Sequence, residues 1–281
     1  MRRWHLVCLA LLAVFVLACE GGGGAATPAP TGKPKRGYPA SMAALGDSIT
    51  AGFGSCLTLV ACSRNSWSTG GGSAVESHYN RIRAANGKIK GNADNFAAPG
   101  AHADALAGQA DRAVEAKAQY VTVMIGVNDA CTRRVDDMTP VRDFRAGIDA
   151  GLAKLKKGLP KSRILMVSLP DVYRLWELGK DDEHAVRAWS SGVCQSLLAS
   201  PTSTAGADEE RRQRVRDRLN DYGEQLRQSC ETYGKRCRWD GGAVHAVRFT
   251  LELVTKLDYF HPNAAGQNRI ADVTYPGRFT W

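Results

Sequence analysis

The chain has 281 residues, a length that suits one large domain or two small ones. Hydrophobic residues make up 44% and charged residues 23%, which excludes a wholly disordered or collagen-like chain. The formal net charge of +9 is spread along the chain and does not indicate nucleic-acid binding. Because the one stretch apolar enough to meet a membrane lies at the N-terminus, a polytopic membrane protein is also excluded.

Residues 1–18 have the pattern of a signal peptide. Arg2 and Arg3 precede an apolar run over residues 6–18, which is too short to span a bilayer because a spanning helix needs about 20 residues. The run ends in the sequence VLAC, which resembles a bacterial lipobox. In such signals the cysteine, here Cys19, receives a diacylglycerol and becomes the mature N-terminus. An ordinary cleaved signal peptide, in which Cys19 has no role, is the alternative.

Residues 19–37 follow with four consecutive glycines and then Thr, Pro, Ala and Lys. This composition buries little apolar surface and predicts a flexible tether. Residues 38–281 are then the folded domain. We expect an exported, extracellular monomer held at the outer face of the cell membrane by an N-terminal lipid anchor.

Six cysteines remain once Cys8 and Cys19 are set aside. They are Cys56, Cys62, Cys131, Cys194, Cys230 and Cys237. An even number in an exported chain predicts disulfides, and the sequence alone does not choose among the fifteen possible connectivities. Short separations favour Cys56–Cys62 and Cys230–Cys237, which would leave Cys131–Cys194. No CxxC pair is present, so zinc binding is disfavoured.

Apolar patterns in the rest of the chain predict alternating strands and helices. Strands are predicted at residues 42–45, 95–98, 120–125 and 163–169. Helices are predicted from three apolar stripes: Val141, Phe144, Ile148, Leu152 and Leu155; Val186, Trp189, Val193 and Leu197; and Val215, Leu219, Tyr222 and Leu226. This alternation favours a parallel sheet with helices on both sides.

Four polar segments fall at predicted strand ends or in loops. They are residues 46–50 (GDSIT), 95–100 (NFAAPG), 126–129 (GVND) and 258–263 (DYFHPN). A serine at a strand-to-helix turn is presented at the carboxyl edge of the sheet, where open α/β folds bind ligands. We therefore expect the four segments to meet at one edge.

In this order the segments resemble the motifs of the SGNH hydrolases, also called GDSL esterases and lipases. The matching residues are Ser48 in the GDSI block, Gly100 in the second block, Asn128 in the GxND block, and Asp258 and His261 in the DxxH block. Any one block could arise by chance, but four in order is a specific signal. The resemblance implies a flavodoxin-like three-layer α/β/α sandwich with a central parallel sheet.

The resemblance also implies a role for each of these residues. Ser48 would be the nucleophile, His261 the base and later the acid, and Asp258 the carboxylate that orients the imidazole. The backbone N–H groups of Ser48 and Gly100 and the side-chain amide of Asn128 would form the oxyanion hole. No metal or cofactor is implied.

Ser48 and several residues near the motifs can also be interpreted as structural residues. Ser48 alone could be a helix N-cap, although the other three motifs argue against that interpretation. Asp47 and Asp129 are predicted to hold their loops, and His102 to be a loop residue rather than part of the site. Trp67 could either form the floor of a substrate pocket or pack in the core.

The predicted function is therefore that of a serine esterase acting on lipid or short-chain acyl esters through an acyl-enzyme on Ser48. An acyl or acetyl esterase for a cell-surface or environmental polysaccharide is the alternative. A non-catalytic surface protein that binds glycans or lipids is the alternative from another class, and the intact set of site residues argues against it.

Overall fold

The computed structural model describes residues 37–281. The predicted signal peptide, the lipobox at Cys19 and all but the last residue of the predicted tether lie outside the described residues. Across the described range, none of the helices has the length and apolar character needed to cross a membrane.

Five parallel strands form the sheet of the described domain, in the order β2-β1-β3-β4-β5. Their bounds are Met42–Gly46 (β1), Ala93–Asn95 (β2), Tyr120–Met124 (β3), Arg163–Met166 (β4) and Cys237–Trp239 (β5). This order is that of flavodoxin-like sheets. The second strand is added on one side of β1, and the third and later strands are added on the other side. All residues of β1 and β3 are buried, as expected for strands covered on both faces.

Nine helices of the described domain surround this sheet. They are His78–Ala85 (α1), Leu106–Glu115 (α2), Val127–Ala130 (α3), Val141–Gly158 (α4), Val172–Gly179 (α5), Glu183–Trp189 (α6), Gln195–Leu198 (α7), Gly206–Tyr233 (α8) and Ala264–Thr274 (α9). Helices α2, α4 and α8 pack side by side, and the Phe144 and Tyr222 rings of α4 and α8 stack 4.0 Å apart. The predicted α/β fold with a central parallel sheet is confirmed.

The second strand lies slightly earlier than predicted. It covers Ala93–Asn95 rather than residues 95–98. The backbone N–H groups of Phe96 and Ala98 still donate to carbonyls at the end of β1. Since β2 is the edge strand of the described sheet, these residues have pairing on one side alone, and the chain turns away towards Gly100.

One predicted helix is in fact two. The apolar stripe that ends at Leu197 is divided between α6 and α7. Between them, Gly192 has φ 110° and Cys194 has φ 43°, which lie in the left-handed region and interrupt an α-helix. Cys194 is disulfide-bonded to Cys131, so the break is fixed by a covalent contact that apolar periodicity does not reveal.

Three disulfides are formed, and they confirm the expected pairing. They join Cys56 to Cys62, Cys131 to Cys194 and Cys230 to Cys237. The Cys131–Cys194 bridge spans 63 positions and attaches the residue after α3 to the residue before α7. It therefore braces the short helix that carries Asn128.

Removing the long-range bridge should cost more stability than removing a short one. In the chain-entropy model, replacing Cys131 and Cys194 together by serine lowers the free energy of unfolding by about 4 kcal/mol. The same replacement of Cys230 and Cys237, only 7 positions apart, should cost about 2.5 kcal/mol. Urea unfolding of both double variants measures the difference. An equal or smaller loss for the long bridge would contradict this expectation.

His78 is a buried core residue that joins α1, β3 and α9. Its Nδ1 lies 3.0 Å from the Tyr120 hydroxyl and its Nε2 lies 2.9 Å from the Thr274 hydroxyl. Because the Thr274 hydroxyl donates to the Ile270 carbonyl, it accepts from His78 Nε2–H, and Nδ1 accepts from Tyr120. Burial, aided by the positive charge of Arg81, lowers the pKa of His78 to about 3.

This histidine should make the fold sensitive to acid. A folded-state pKa of about 3 lies below the unfolded value of about 6.5, so the unfolded chain takes up the proton first. The contribution of neutral His78 to the free energy of unfolding is complete above pH 6.5. It falls by about 1.4 kcal/mol per pH unit as the pH is lowered towards 3. The stability difference between wild type and His78→Asn should therefore shrink as the pH falls from 6.5. The exposed His184→Asn variant is the control, and a pH-independent difference for His78→Asn would contradict the account.

Candidate active site

Ser48 is positioned by the end of β1. Gly46 has φ 152°, and a Cβ at this position would lie 2.2 Å from the Met124 carbonyl oxygen of β3. Gln109 of α2 binds the same glycine twice: the Gly46 N–H donates to Gln109 Oε1 at 2.7 Å, and Gln109 Nε2 donates to the Gly46 carbonyl at 2.9 Å. The strand end is thus held firmly, and Ser48 follows it at the carboxyl edge of the sheet.

The structure brings Ser48, His261 and Asp258 together in one chain of hydrogen bonds. His261 Nε2 lies 2.9 Å from Ser48 Oγ, and His261 Nδ1 lies 2.7 Å from Asp258 Oδ2. The Asp258 carboxylate accepts a hydrogen bond from Nδ1–H, so Nε2 is left to accept from the serine hydroxyl. All three residues are largely buried, with Ser48 7% and Asp258 4% exposed.

The three-residue spacing between Asp258 and His261 has a local cause. Asp258 Oδ1 accepts from the backbone N–H groups of Phe260, at 2.9 Å, and His261, at 3.0 Å. One carboxylate oxygen therefore shapes the turn while the other holds the imidazole. The ring of Phe53, from the segment after Ser48, packs against the His261 ring with centroids 4.6 Å apart.

Hydrogen bonds also connect the first three sequence segments. The Ala98 N–H donates to the Gly46 carbonyl at 3.1 Å, and Asn128 Nδ2 donates to the Ala101 carbonyl at 3.0 Å. The second bond uses one proton of the Asn128 amide and fixes its orientation, which leaves the other proton for a ligand. Gly100 lies between these two tethers.

Two of the three predicted oxyanion donors are backbone N–H groups. Within residues 37–281, the backbone N–H groups of Ser48 and Gly100 donate to no protein acceptor. Gly100 has φ 79°, which favours glycine, and a Cβ there would meet nothing within 4 Å. Both N–H groups are therefore left without a protein acceptor, and the space on the side of the absent Gly100 side chain is open. Such preorganised donors suit a developing negative charge.

Two buried carboxylates hold the loops of the site. Asp47 Oδ1 accepts from the Ile49 N–H at 2.9 Å, and burial raises the pKa of Asp47 to about 6. Asp129 Oδ2 accepts from the Ala103 N–H at 3.0 Å, and burial also raises the pKa of Asp129. His102 Nδ1 lies 3.7 Å from Asp129 Oδ1, with the imidazole about half exposed. Both acids thus have the structural contacts predicted for them.

Trp67 belongs to the core and not to a pocket. It is fully buried, and its indole N–H donates to the Thr50 hydroxyl at 3.3 Å. A small apolar cavity lies elsewhere beside the site and encloses about 310 Å³, including space open to solvent. Residues that line it include Ile49, Pro170, Val172, Leu175, Phe249 and Phe260. Ile49 is adjacent to Ser48 in the chain, and Phe260 to His261.

Replacing Asp258 by asparagine should reduce kcat by about 10⁴-fold, because an amide no longer holds the imidazole in the tautomer that accepts from Ser48. The asparagine oxygen can still accept from the two backbone N–H groups of the turn, so the melting temperature should change little. Ester hydrolysis and thermal unfolding, measured together, test this separation. A loss of kcat below tenfold would remove Asp258 from the catalytic set.

The chain of hydrogen bonds from Asp258 through His261 to Ser48 is the arrangement of a serine hydrolase. A family model described as the GDSL-like lipase/acylhydrolase family matches residues 44–269. The chain belongs to this family. The matched range includes all five residues of the sequence motifs, from Ser48 to His261.

Solved structures with a similar fold come from several bacteria. A protein from Parabacteroides merdae ATCC 43184, described as a GDSL-like lipase, is 15% identical and has a TM-score of 0.53, with 86% of this chain and 95% of that chain covered. A protein from Lactobacillus plantarum is 23% identical, with a TM-score of 0.47 and coverage of 83% and 93%. The extracellular lipase from Streptomyces rimosus is 15% identical, with a TM-score of 0.47 and coverage of 83% and 99%. No curated protein sequence matches the chain.

Proposed function

We propose that the protein hydrolyses carboxylic esters through an acyl-enzyme on Ser48. The observation that carries this proposal is the continuous hydrogen-bond chain from Asp258 through His261 to Ser48, at 2.7 and 2.9 Å. A serine hydroxyl is a weak nucleophile unless a base lies within hydrogen-bond distance, and His261 Nε2 meets that condition. Membership of the GDSL-like lipase/acylhydrolase family supports the same reaction class.

In this reaction Ser48 Oγ attacks the ester carbonyl while its proton passes to His261 Nε2. The tetrahedral oxyanion accepts hydrogen bonds from the N–H groups of Ser48 and Gly100 and from the free proton of Asn128. His261 then protonates the departing alcohol, which leaves an acyl group on Ser48. Water attacks this ester with His261 again as the base, and the acid departs to restore Ser48. The proposed cycle uses water as its second substrate and needs no metal or cofactor.

The surroundings of Ser48 support an acyl ester as substrate. The small cavity that Ile49 and Phe260 line, next to Ser48 and His261 in the chain, has almost entirely apolar walls, which suit contact with the alkyl part of an acyl group. The disulfide-closed loop that follows Phe53 also carries exposed apolar side chains, with Leu57 85%, Leu59 47% and Val60 57% exposed. Side chains of this kind suit contact with lipid, so we place lipid or short-chain acyl esters first.

Removal of acyl or acetyl groups from a polysaccharide is the second candidate. The space in this cavity that a water-sized molecule can enter is only about 20 Å³, well below an ordinary ligand pocket, and the bulky rings of Phe249 and Phe260 line it. Such a cavity favours a short acyl group, which an acetylated or acylated sugar would supply.

A chain-length series of 4-nitrophenyl esters, from acetate to palmitate, tests the proposal. We expect hydrolysis with the highest kcat/KM for short acyl chains and no measurable hydrolysis by Ser48→Ala. Phospholipid vesicles and acetylated xylan then separate the lipid substrate from the polysaccharide. If no ester in either set is hydrolysed, the esterase proposal is wrong and a glycan- or lipid-binding protein becomes the better explanation.

We also propose that the protein is exported, anchored through a lipid on Cys19, and active as a monomer. The three disulfides support an oxidising compartment, because such bonds persist mainly in exported proteins. A membrane-held esterase would act on substrates at or near the cell surface.

A further inference from the structure

A charged cleft, here called the basic cleft, lies beside α5 and encloses about 570 Å³, including space open to solvent. Its charged and titratable lining residues are Asp171, Arg174, Glu177, Arg216, His245 and Arg248. They come from α5 and its N-cap, the middle of α8 and the segment after β5. None of them belongs to the sequence motifs of the catalytic site.

The basic cleft continues from the apolar cavity beside Ser48. Asp171 lines both spaces. On α5, Leu175 faces the apolar cavity and Arg174 faces the cleft; on the opposite wall, Phe249 faces the cavity and Arg248 faces the cleft. The two spaces therefore adjoin at Asp171, so a substrate that contacts the apolar cavity can place a neighbouring group in the basic cleft.

Two of the three arginines that line the basic cleft have no hydrogen-bond or ion-pair partner within the described residues. The two acids are already engaged: Asp171 Oδ1 accepts from the Arg174 N–H at 3.0 Å, and Glu177 Oε2 lies 3.3 Å from Arg174 Nη1. Arg216 and Arg248, in contrast, form no hydrogen bond or ion pair with any residue of the described chain. The Arg216 guanidinium lies 4.7 Å from the centre of the Tyr173 ring, which holds its plane.

The wall that carries Arg248 is attached to the sheet. The N–H groups of Val244 and His245 each donate to Ser168 Oγ at 3.1 Å, directly after β4. His245 Nδ1 lies 3.3 Å from the Leu169 carbonyl, so Nδ1 is the protonated nitrogen and Nε2 is left for other partners. The basic cleft is therefore held at the same carboxyl edge as Ser48, which limits the ordering needed on binding.

We propose that the basic cleft binds an anionic group, a phosphate or a carboxylate, carried by the ester substrate. This inference rests on the proposed esterase function and narrows its substrate to anionic esters. Planar guanidinium groups match the paired oxygens of phosphate and carboxylate, and free arginines in a cleft bind them without first breaking an internal ion pair. The anion binds Arg216 and Arg248 while the reacting carbonyl lies at Ser48.

Paired esters that differ in charge test the inference. The carboxylate pair is 4-nitrophenyl hemiglutarate and 4-nitrophenyl butyrate, and the phosphate pair is butyryl glycerol 3-phosphate and monobutyrin. In wild type, kcat/KM should be higher for the anionic member of at least one pair. Arg216→Ala and Arg248→Ala should each lower the anionic-to-neutral ratio of that pair about tenfold, the effect of one lost charge-assisted hydrogen bond. The pair that responds shows which combination is recognised, a carboxylate on the acyl side or a phosphate on the alcohol side.

Arg214→Ala is the matched control, because Arg214 lies on the same helix as Arg216 but pairs with Asp136 at 2.8 Å outside the cleft. This control should leave the ratio unchanged. Increasing salt should lower the wild-type ratio towards that of the variants, since ions screen the exposed charges. An anionic-to-neutral ratio that is the same in wild type and both cleft variants, for both pairs, would overturn the inference.

Equilibrium binding separates this inference from the esterase proposal. Glycerol 3-phosphate and glutarate, titrated into the Ser48→Ala protein by calorimetry, report on the cleft without any reaction. At least one should bind, and adding Arg248→Ala should weaken its binding about tenfold. Binding of an anion without hydrolysis of any ester would support anion binding in the cleft and contradict the esterase proposal. If neither anion binds, or if Arg248→Ala leaves the binding unchanged, the proposal that the cleft binds an anion is wrong.

Discussion

Replacing Ser48 by alanine is expected to reduce kcat for ester hydrolysis by about 10⁶-fold, the loss typical when the nucleophile of such a triad is removed. The fold should be retained. Within the described residues, Ser48 Oγ bonds to His261 alone, and the Ser48 backbone carbonyl keeps its bond from the Phe53 N–H at 2.9 Å in the variant. Steady-state kinetics and thermal unfolding of the same preparation measure both effects.

Ser55→Ala is the matched control for this replacement. Ser55 is also a buried serine near the site, and its hydroxyl donates to the Gly52 carbonyl at 2.6 Å rather than to His261. This variant should lose some stability and keep a near-normal kcat. If Ser55→Ala and Ser48→Ala lowered kcat equally, the loss would reflect a general disturbance of the turn, and Ser48 would not be the nucleophile.

Asn128→Ala is expected to lower kcat by about 10²–10³-fold with little change in KM, because the lost donor acts mainly on the oxyanion of the transition state. One proton of the Asn128 amide is held by the Ala101 carbonyl at 3.0 Å, which leaves the other free for the oxyanion. Loss of that tether should also reduce stability, by about 1 kcal/mol.

Asn128→Asp is the sharper variant. It keeps the size of the side chain, but an ionised carboxylate has no proton for the Ala101 carbonyl and faces the developing negative charge. Its kcat should be at least as low as that of Asn128→Ala. If both variants had a lowered melting temperature and near-wild-type kcat, Asn128 would be a structural residue of its loop and no part of the oxyanion hole.

The sequence was informative where function is carried by short motifs. Asp258 and His261 are three residues apart because one carboxylate both shapes the turn and binds the ring, and the resemblance to the DxxH motif was enough to predict their contact. Ser48 could be placed because an apolar strand and a glycine precede it. Two short separations also favoured the disulfide pairing that the structure shows, although the sequence left the connectivity open.

Other features depend on tertiary packing and leave no local pattern. Gln109 fixes Gly46 from α2, although a single glutamine on a helix has no motif. Strand β5 has three residues, too few to show a period. Arg174, Arg216 and Arg248 are far apart in sequence, and the fold alone brings them to one cleft. The break before α7 likewise depends on a disulfide and not on the apolar stripe.

The central claim is that Ser48 is the nucleophile that forms the acyl-enzyme. The most direct measurement is labelling with a fluorophosphonate, a reagent that reacts with activated serines, followed by peptide mass spectrometry. The account predicts one adduct, on Ser48, which is lost in Ser48→Ala and strongly slowed in Asp258→Asn. Labelling of a different serine, or labelling of Ser48→Ala at the wild-type rate, would contradict it.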